Sequence, residues 1–151
     1  MNRTVFKSPI GKLLLAEDCG KLCGVSFYRG GTVAARESRL LLEAEMQLTE
    51  YFAGKRREFD LPIQTDVSGF AVAVLREVSA IPYGTTATYS EIAAALGSPN
   101  ASRAVGMACH NNPIAIVIPC HRVVGVGSNL VGYAGGITAK EDLLRLEGGI
   151  F

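Results

Sequence analysis

The chain has 151 residues, of which 48% are apolar and 19% charged, enough for one ordinary domain or two small lobes sharing a core. Fifteen basic and fourteen acidic side chains leave a net charge of +1. That excludes polyanion binding through a bulk basic surface and confines any nucleic-acid contact to local groups. No apolar run approaches the roughly 20 residues of a bilayer span, and the stretch from Met1 to Leu15 has no cleavage-like site, so neither a membrane nor a secretory signal is expected. In the reducing interior this implies, Cys19, Cys23, Cys109 and Cys120 stay thiols.

In chain order, Thr4 to Phe6, Lys12 to Ala16 and Leu22 to Tyr28 read as short strands, punctuated by Ser8-Pro9-Ile10-Gly11 and Asp18-Cys19-Gly20. Cys19 and Cys23 are read as small apolar side chains on neighbouring strands. Leu41, Ala44, Leu48, Tyr51 and Phe52 keep a helical period over Ser38 to Phe52, ended by Gly54. Glu58 to Ile63 reads as one more strand, ended by Pro62. This amino-terminal α/β lobe is assigned residues 1–66, and a mostly helical domain the remainder, 67–151.

That second domain opens with a helix over Phe70 to Ala80, stopped before Pro82. Thr88 and Glu91 form a capping box for a helix running to Gly97. Ser98-Pro99 is expected to start the next helix, reaching about Cys109. Two short helices around a glycine turn are the sequence image of a helix-turn-helix. Asn111-Asn112-Pro113 then breaks the chain, and Ile114 to Ile118 is an apolar run expected to be buried. It delivers Pro119-Cys120-His121-Arg122. A glycine-rich stretch from Gly125 to Gly136 follows, and Thr138 with Glu141 reads as a capping box for a last helix, ending at Glu147 before Gly148-Gly149.

Cys-His occurs twice. Cys109 lies among Val105, Met107 and Ala108, where a thiol acts as a small hydrophobe, and His110 suits the helix C-terminus as a cation. Cys120 follows a buried run and precedes glycines, so its side chain is expected to open into a pocket. A thiol attacks only as the thiolate. His121 could take its proton directly or through water, with Glu147 fixing the histidine tautomer. The residues alone leave two readings of Cys120 standing, nucleophile and buried structural cysteine.

A longer string of motifs is more specific. Ile81-Pro82-Tyr83-Gly84 through Tyr89, Ser102-Arg103-Ala104-Val105-Gly106, Asn112-Pro113, Ile118-Pro119-Cys120-His121-Arg122-Val123, Gly132-Tyr133-Ala134-Gly135-Gly136 and Lys140-Glu141 closely resemble the O6-alkylguanine-DNA alkyltransferases over residues 68–148. The resemblance implies an RNase H-like amino-terminal lobe and a helix-turn-helix in the second domain. It also implies an irreversible, single-turnover transfer of an alkyl group from O6-alkylguanine, and by extension O4-alkylthymine, in double-stranded DNA to Cys120. His121 would accept the thiol proton through a water, oriented by Glu147, while Asn112 holds the turn that carries the nucleophile.

The family flips its target base out of the duplex. By resemblance Tyr89 promotes the rotation and donates to guanine N3, and Arg103 fills the vacated space. Ser90 joins the DNA contact. Small side chains at Ala101, Ser102, Ala104 and Gly106 let the second helix enter the minor groove. The flipped base would be met by backbone groups of Cys120 and Val123, by Tyr133, and by the amide near Ala134.

Some positions depart from the family's pattern. Ala134 stands where serine is common, and Ala115 where some members that take bulky groups have proline, so methyl is the expected substrate group. The amino-terminal lobe lacks the histidines of metal-containing relatives, so no metal or other cofactor is expected. A cytoplasmic, nucleoid-associated monomer (nuclear in a eukaryote) follows. The rival readings are a non-catalytic lesion-binding protein of the same fold, a cysteine hydrolase built on Cys120, His121 and Glu147, and a plain DNA-binding regulator.

Overall fold

A computed structural model describes residues 1–130 and 133–148. The chain divides into two compact units, one of residues 1–65 with 113–117, the other of residues 66–112 and the chain from Ile118 onward.

The first unit is an antiparallel sheet in the order β1 (Asn2–Ser8), β2 (Gly11–Asp18), β3 (Lys21–Phe27). Each turn fits its geometry. Asp18 pairs with Lys21 across Cys19 and Gly20, whose φ values of 51° and 78° are both left-handed, the conformation that a two-residue hairpin favours. Cys19 is therefore an exposed turn residue and Cys23 a half-buried strand residue, which corrects the placing of both on strands. Leu13, Leu15, Leu22 and Val25 line the sheet's buried side. Helix α1 (Arg39–Phe52) buries Leu41, Ala44, Leu48 and Tyr51 at helical spacing. Ser38 accepts from the Leu41 N–H at its start, and at its end Gly54 and Lys55 donate to Tyr51 and Glu50 carbonyls at 3.0 and 2.9 Å, a Schellman closure.

The strand expected over Glu58 to Ile63 does not form. Ile63 makes one isolated parallel bridge with Leu22. Both main-chain groups of Asp60 are engaged instead by the buried Gln47 side chain, at 2.9 and 3.0 Å, and Pro62 has no N–H to extend a ladder.

In the second unit, α2 (Phe70–Ser79) buries Val74, Leu75 and Val78. The Thr88 capping box is present: Thr88 Oγ1 accepts from the Glu91 N–H at 3.1 Å, and Glu91 Oε1 from the Thr88 N–H at 2.9 Å. It opens α3 (Tyr89–Ala95). Strand β4 (Ala87–Thr88) just ahead of it pairs in parallel with β5 (Val123–Val124).

Helix α4 spans Ser102–His110, so it starts four residues later than Ser98-Pro99 predicts. The cause is the end of α3. Gly97, at φ 73°, donates to Ala94, and Ser98 donates to Ala93, both at 3.0 Å. Ser98 thus completes α3's Schellman cap and cannot cap the next helix. Helix α5 is Ile137–Leu146, with Gly136 at φ 94° as its N-cap and no side-chain cap. Thr138 consequently lies inside the helix and the second capping box is absent. Gly148, at φ 74°, follows the C-cap Glu147; Gly149 lies outside the described residues. No helix among the described residues is long and apolar enough to cross a membrane.

Candidate active site

Two three-residue turns precede Cys120. The Ala115 N–H donates to Val25 at 2.9 Å, and the Val117 N–H to Ala115 at 2.8 Å, which puts Ile116 at φ 71°. A β-branched residue at positive φ costs on the order of 1–3 kcal/mol and persists only where packing over-determines it; Ile114 and Ile116 are both buried. Pro119, at φ −82° and ψ 59°, then centres an inverse γ-turn, closed by the Cys120 N–H donating to Ile118 at 2.8 Å. Asn112 Nδ2 donates to the same Ile118 carbonyl at 2.9 Å, and its backbone N–H to the Cys109 carbonyl at 3.2 Å. The apolar run is thus a bridge and tight turns, and it is buried as expected except for half-buried Val117.

Cys120, His121 and Arg122 form a single 3₁₀ turn and are all buried. Cys120 is 2% exposed, so its thiol is sheltered from bulk solvent. The Cys109 thiol, in the last turn of α4, is close enough to perturb it. That thiol and burial hold Cys120 well above the ordinary thiol range, whereas Asn112 and the Lys140 charge pull it down. Cys109 is lowered in turn by Cys120. The two thiols therefore titrate as a pair.

Behind the thiols, His121 Nε2 lies 2.8 Å from Glu147 Oε2. A carboxylate only accepts, so the ring proton is assigned to Nε2 and the lone pair to Nδ1. Burial pushes the His121 pKa below its usual value despite Glu147, which keeps the imidazole neutral. Arg122 clamps the same carboxylate, Nε to Oε1 at 2.8 Å and Nη2 to Oε2 at 3.0 Å. A negative charge at the C-cap of α5 opposes the helix dipole, and this two-pronged pairing offsets it. Arg122 Nη1 also donates to Ile81 at 2.8 Å, and its guanidinium sits 5.7 Å from the Tyr83 ring centre. A Cβ on Gly84, at φ 80°, would stand 3.1 Å from the Glu147 carbonyl oxygen. The loop from Ile81 to Gly84 is therefore shaped around this carboxylate and its clamp.

On the other side, Lys140 Nζ donates to Tyr89 Oη at 3.3 Å and lies 5.5 Å from its ring centre. Burial lowers the Lys140 pKa to about 8, against the raising influence of the two thiols. Burial likewise pushes Tyr89 up to about 12, so at neutral pH it remains a hydrogen-bond donor. Tyr133 is buried edge-on to His121, ring centres 6.4 Å apart, and burial raises its phenol too. Ala134 is exposed in a turn closed by the Gly136 N–H donating to Tyr133 at 3.0 Å; Gly132 lies outside the described residues. Buried Val123 donates its N–H to the Cys120 carbonyl. On the helix pair, Ser90, Arg103 and Ala104 are exposed and Ala101, Ser102 and Gly106 half-buried. Gly106 faces Tyr89, whose ring would lie 3.8 Å from an added Cβ.

The structure thus gathers Cys120, His121, Glu147, Asn112, Tyr89 and Tyr133 around one thiol. Three further members were missed by sequence reasoning. Arg122 and Lys140 lie within motifs, but nothing local says that a cation there is buried. Cys109 is the buried side chain expected of it, yet its partner is Cys120.

A buried cysteine, a histidine–carboxylate pair and a helix-turn-helix thus lie in one unit, the arrangement of a DNA-binding protein with a sheltered thiol. Two family models match: the 6-O-methylguanine DNA methyltransferase ribonuclease-like domain over residues 1–65 and the DNA-binding domain of the same name over residues 69–149. The chain belongs to the 6-O-methylguanine DNA methyltransferase family, a family of enzymes. The methylated-DNA–protein-cysteine methyltransferase of Methanosarcina acetivorans is 44% identical, over 98% of this chain and 99% of its own. The constitutive one of Bacillus subtilis is 40% identical over 95% and 93%. The structure of Mycobacterium tuberculosis OGT in complex with DNA superposes with a TM-score of 0.90 at 39% identity, covering 98% of this chain and 93% of that one.

Proposed function

We propose that this chain reverses alkylation damage directly, moving the alkyl group of O6-alkylguanine, chiefly methyl, from double-stranded DNA to Cys120, once per molecule. The observation that carries the reading is the buried set Cys120, His121, Glu147 and Arg122 beside the Tyr89–Lys140 pair. In the reaction, the sulfur–carbon bond forms as the carbon–O6 bond breaks, and the electron pair leaves on guanine. The thiol proton goes to His121 Nδ1 through a water; Glu147 and Arg122 hold the ring for it. The Lys140 ammonium donates to the Tyr89 oxygen, which directs the phenol's own proton away from Lys140 and toward guanine N3, where charge builds as the base leaves. The thioether product has no easy leaving group, so the protein is consumed. O4-alkylthymine presents the same carbon–oxygen bond and is a second substrate.

The base must be flipped to reach a buried thiol, at a cost of a few kcal/mol. Exposed Arg103, second residue of α4, fills the gap in the stack, with Ser90, Ala101, Ser102, Ala104 and Gly106 against the minor groove. Cys120, Val123, Tyr133 and Ala134 surround the flipped base. The protein acts as a monomer before it meets DNA. Incubation with an oligonucleotide carrying O6-methylguanine, followed by peptide mass mapping, tests this. One added methyl group on Cys120 and restored guanine in the DNA are expected, at no more than one event per molecule. Repeated turnover points instead to a hydrolase, and binding without transfer to a lesion-binding protein.

A further inference from the structure

The alkyl-transfer reaction needs one cysteine, yet the site holds two. Cys109 and Cys120 are 4% and 2% exposed, and one asparagine joins their segments: the Asn112 N–H donates to the Cys109 carbonyl at 3.2 Å and its Nδ2 to the Ile118 carbonyl at 2.9 Å, which the Cys120 N–H also meets at 2.8 Å. Each thiol shifts the titration of the other, and both lie in the field of buried Lys140. They come from different elements, the last turn of α4 and the 3₁₀ turn after Pro119. The Asn112 side chain ties the second of these in place through the Ile118 carbonyl. The other two cysteines, exposed Cys19 and half-buried Cys23, belong to the first unit.

We propose that Cys109 is a resolving cysteine: when a peroxide oxidises Cys120, the two sulfurs close a reversible disulfide that keeps the nucleophile from irreversible oxidation. In the first step the Cys120 thiolate attacks one oxygen of hydrogen peroxide. A sulfur–oxygen bond forms, the oxygen–oxygen bond breaks, and hydroxide leaves with the electron pair; the sulfur is oxidised by two electrons to a sulfenic acid. In the second, the Cys109 sulfur attacks that sulfur. The sulfur–sulfur bond forms, the sulfur–oxygen bond breaks, and the sulfenic hydroxyl departs as water by taking up the Cys109 proton, while the hydroxide of the first step takes up the proton that the Cys120 thiol had lost. Two thiols and one peroxide thus give one disulfide and two waters. A dithiol reductant restores both thiols by exchange. Two buried thiols on segments joined by one asparagine have a short way to close to the S–S bond length of about 2 Å, and the Lys140 charge favours the thiolate that peroxide requires, against the burial that raises the Cys120 thiol.

This function is useful to a single-use protein, because sulfinic acid on Cys120 would discard an unused molecule. The step does not depend on alkyl transfer and is read independently of it. Treat the full-length protein with hydrogen peroxide and map its peptides under non-reducing conditions. The expected result is an intact mass lower by two hydrogens and a Cys109–Cys120 cross-linked peptide, with both thiols recovered on adding dithiothreitol. In the Cys109→Ser variant, the fraction of Cys120 lost as sulfinic or sulfonic acid should rise several-fold and resist dithiothreitol. Because the wild-type map decides the matter by itself, a poorly folding variant leaves the proposal falsifiable. Sulfinic acid on wild-type Cys120, no thiol loss, or a cross-link from Cys120 to Cys19 or Cys23 instead overturns it. Failure of methyl transfer with the cross-link intact would sink only the repair reading.

Discussion

The two Cys-His dipeptides are the same local sequence in two unlike settings. At Cys109-His110 the chain is in the final turn of a helix, and His110 faces solvent, near the dipole end that favours a cation. At Cys120-His121 it is a 3₁₀ turn in which both side chains are buried, and the imidazole is held by a carboxylate that an arginine holds in turn. A dipeptide supplies the functional groups. Whether they become a relay depends on what the rest of the chain places behind the histidine. The thiols show the converse: chosen apart by their neighbours, they meet in space.

The contrast can be broken most forcefully at Glu147. Glu147→Ala removes one partner of a buried ion pair and leaves the Arg122 charge uncompensated, a loss of about 3–5 kcal/mol in chemical denaturation. It should also slow methyl transfer by about 10²-fold or more, since His121 is no longer oriented as a base. Gly84→Ala approaches the same residue through its main-chain carbonyl. Its positive φ and the 3.1 Å approach to the Glu147 carbonyl oxygen predict a loss of about 1–3 kcal/mol, with the His121–Glu147 contact disturbed although neither residue is changed.

Acid titration sharpens the comparison further. The folded protein holds the His121 pKa below its unfolded value of 6.5. In the window between the two, the unfolded chain binds the proton and the folded chain does not, so stability is full above about pH 6.5 and declines as pH falls toward the folded value. Imidazole carbon shifts should show His121 still neutral at a pH where an ordinary histidine is half charged; a transition for His121 at or above 6.5 would refute the buried neutral base. The smallest effect belongs to the other dipeptide. His110→Gln should change stability by no more than about 0.5 kcal/mol, measured under the same denaturation conditions.

Much of the fold is legible because its signals are local. Three strands, the helix over Arg39–Phe52, the Thr88–Glu91 capping box and the Gly97 stop follow from periodicity and turn chemistry. The errors arise where one residue serves two neighbours. Ser98 reads as a helix start but closes the helix before it, and Asp60 reads as strand although Gln47 occupies its main chain. At the site, the motif string supplies Cys120, His121, Glu147, Asn112 and Tyr89, which the structure brings together. The roles of Arg122, Lys140 and Cys109 lie in burial and in contacts across the chain, and no spacing rule carries those.

The five residues from Pro113 to Val117 have a consequence for how the molecule can be divided. They leave the second unit, pair with Val25 on β3 through Pro113 and Ala115, and return just ahead of Cys120. A cut near residue 65 would therefore divide the first unit, of which they are part. It would strip Ile114 and Ile116 of the sheet that buries them and release the tension held at Ile116, three residues before Pro119. Within the first unit, β3 is the template against which residues 113–117 are bent. Modularity in this chain stops one turn short of its chemistry.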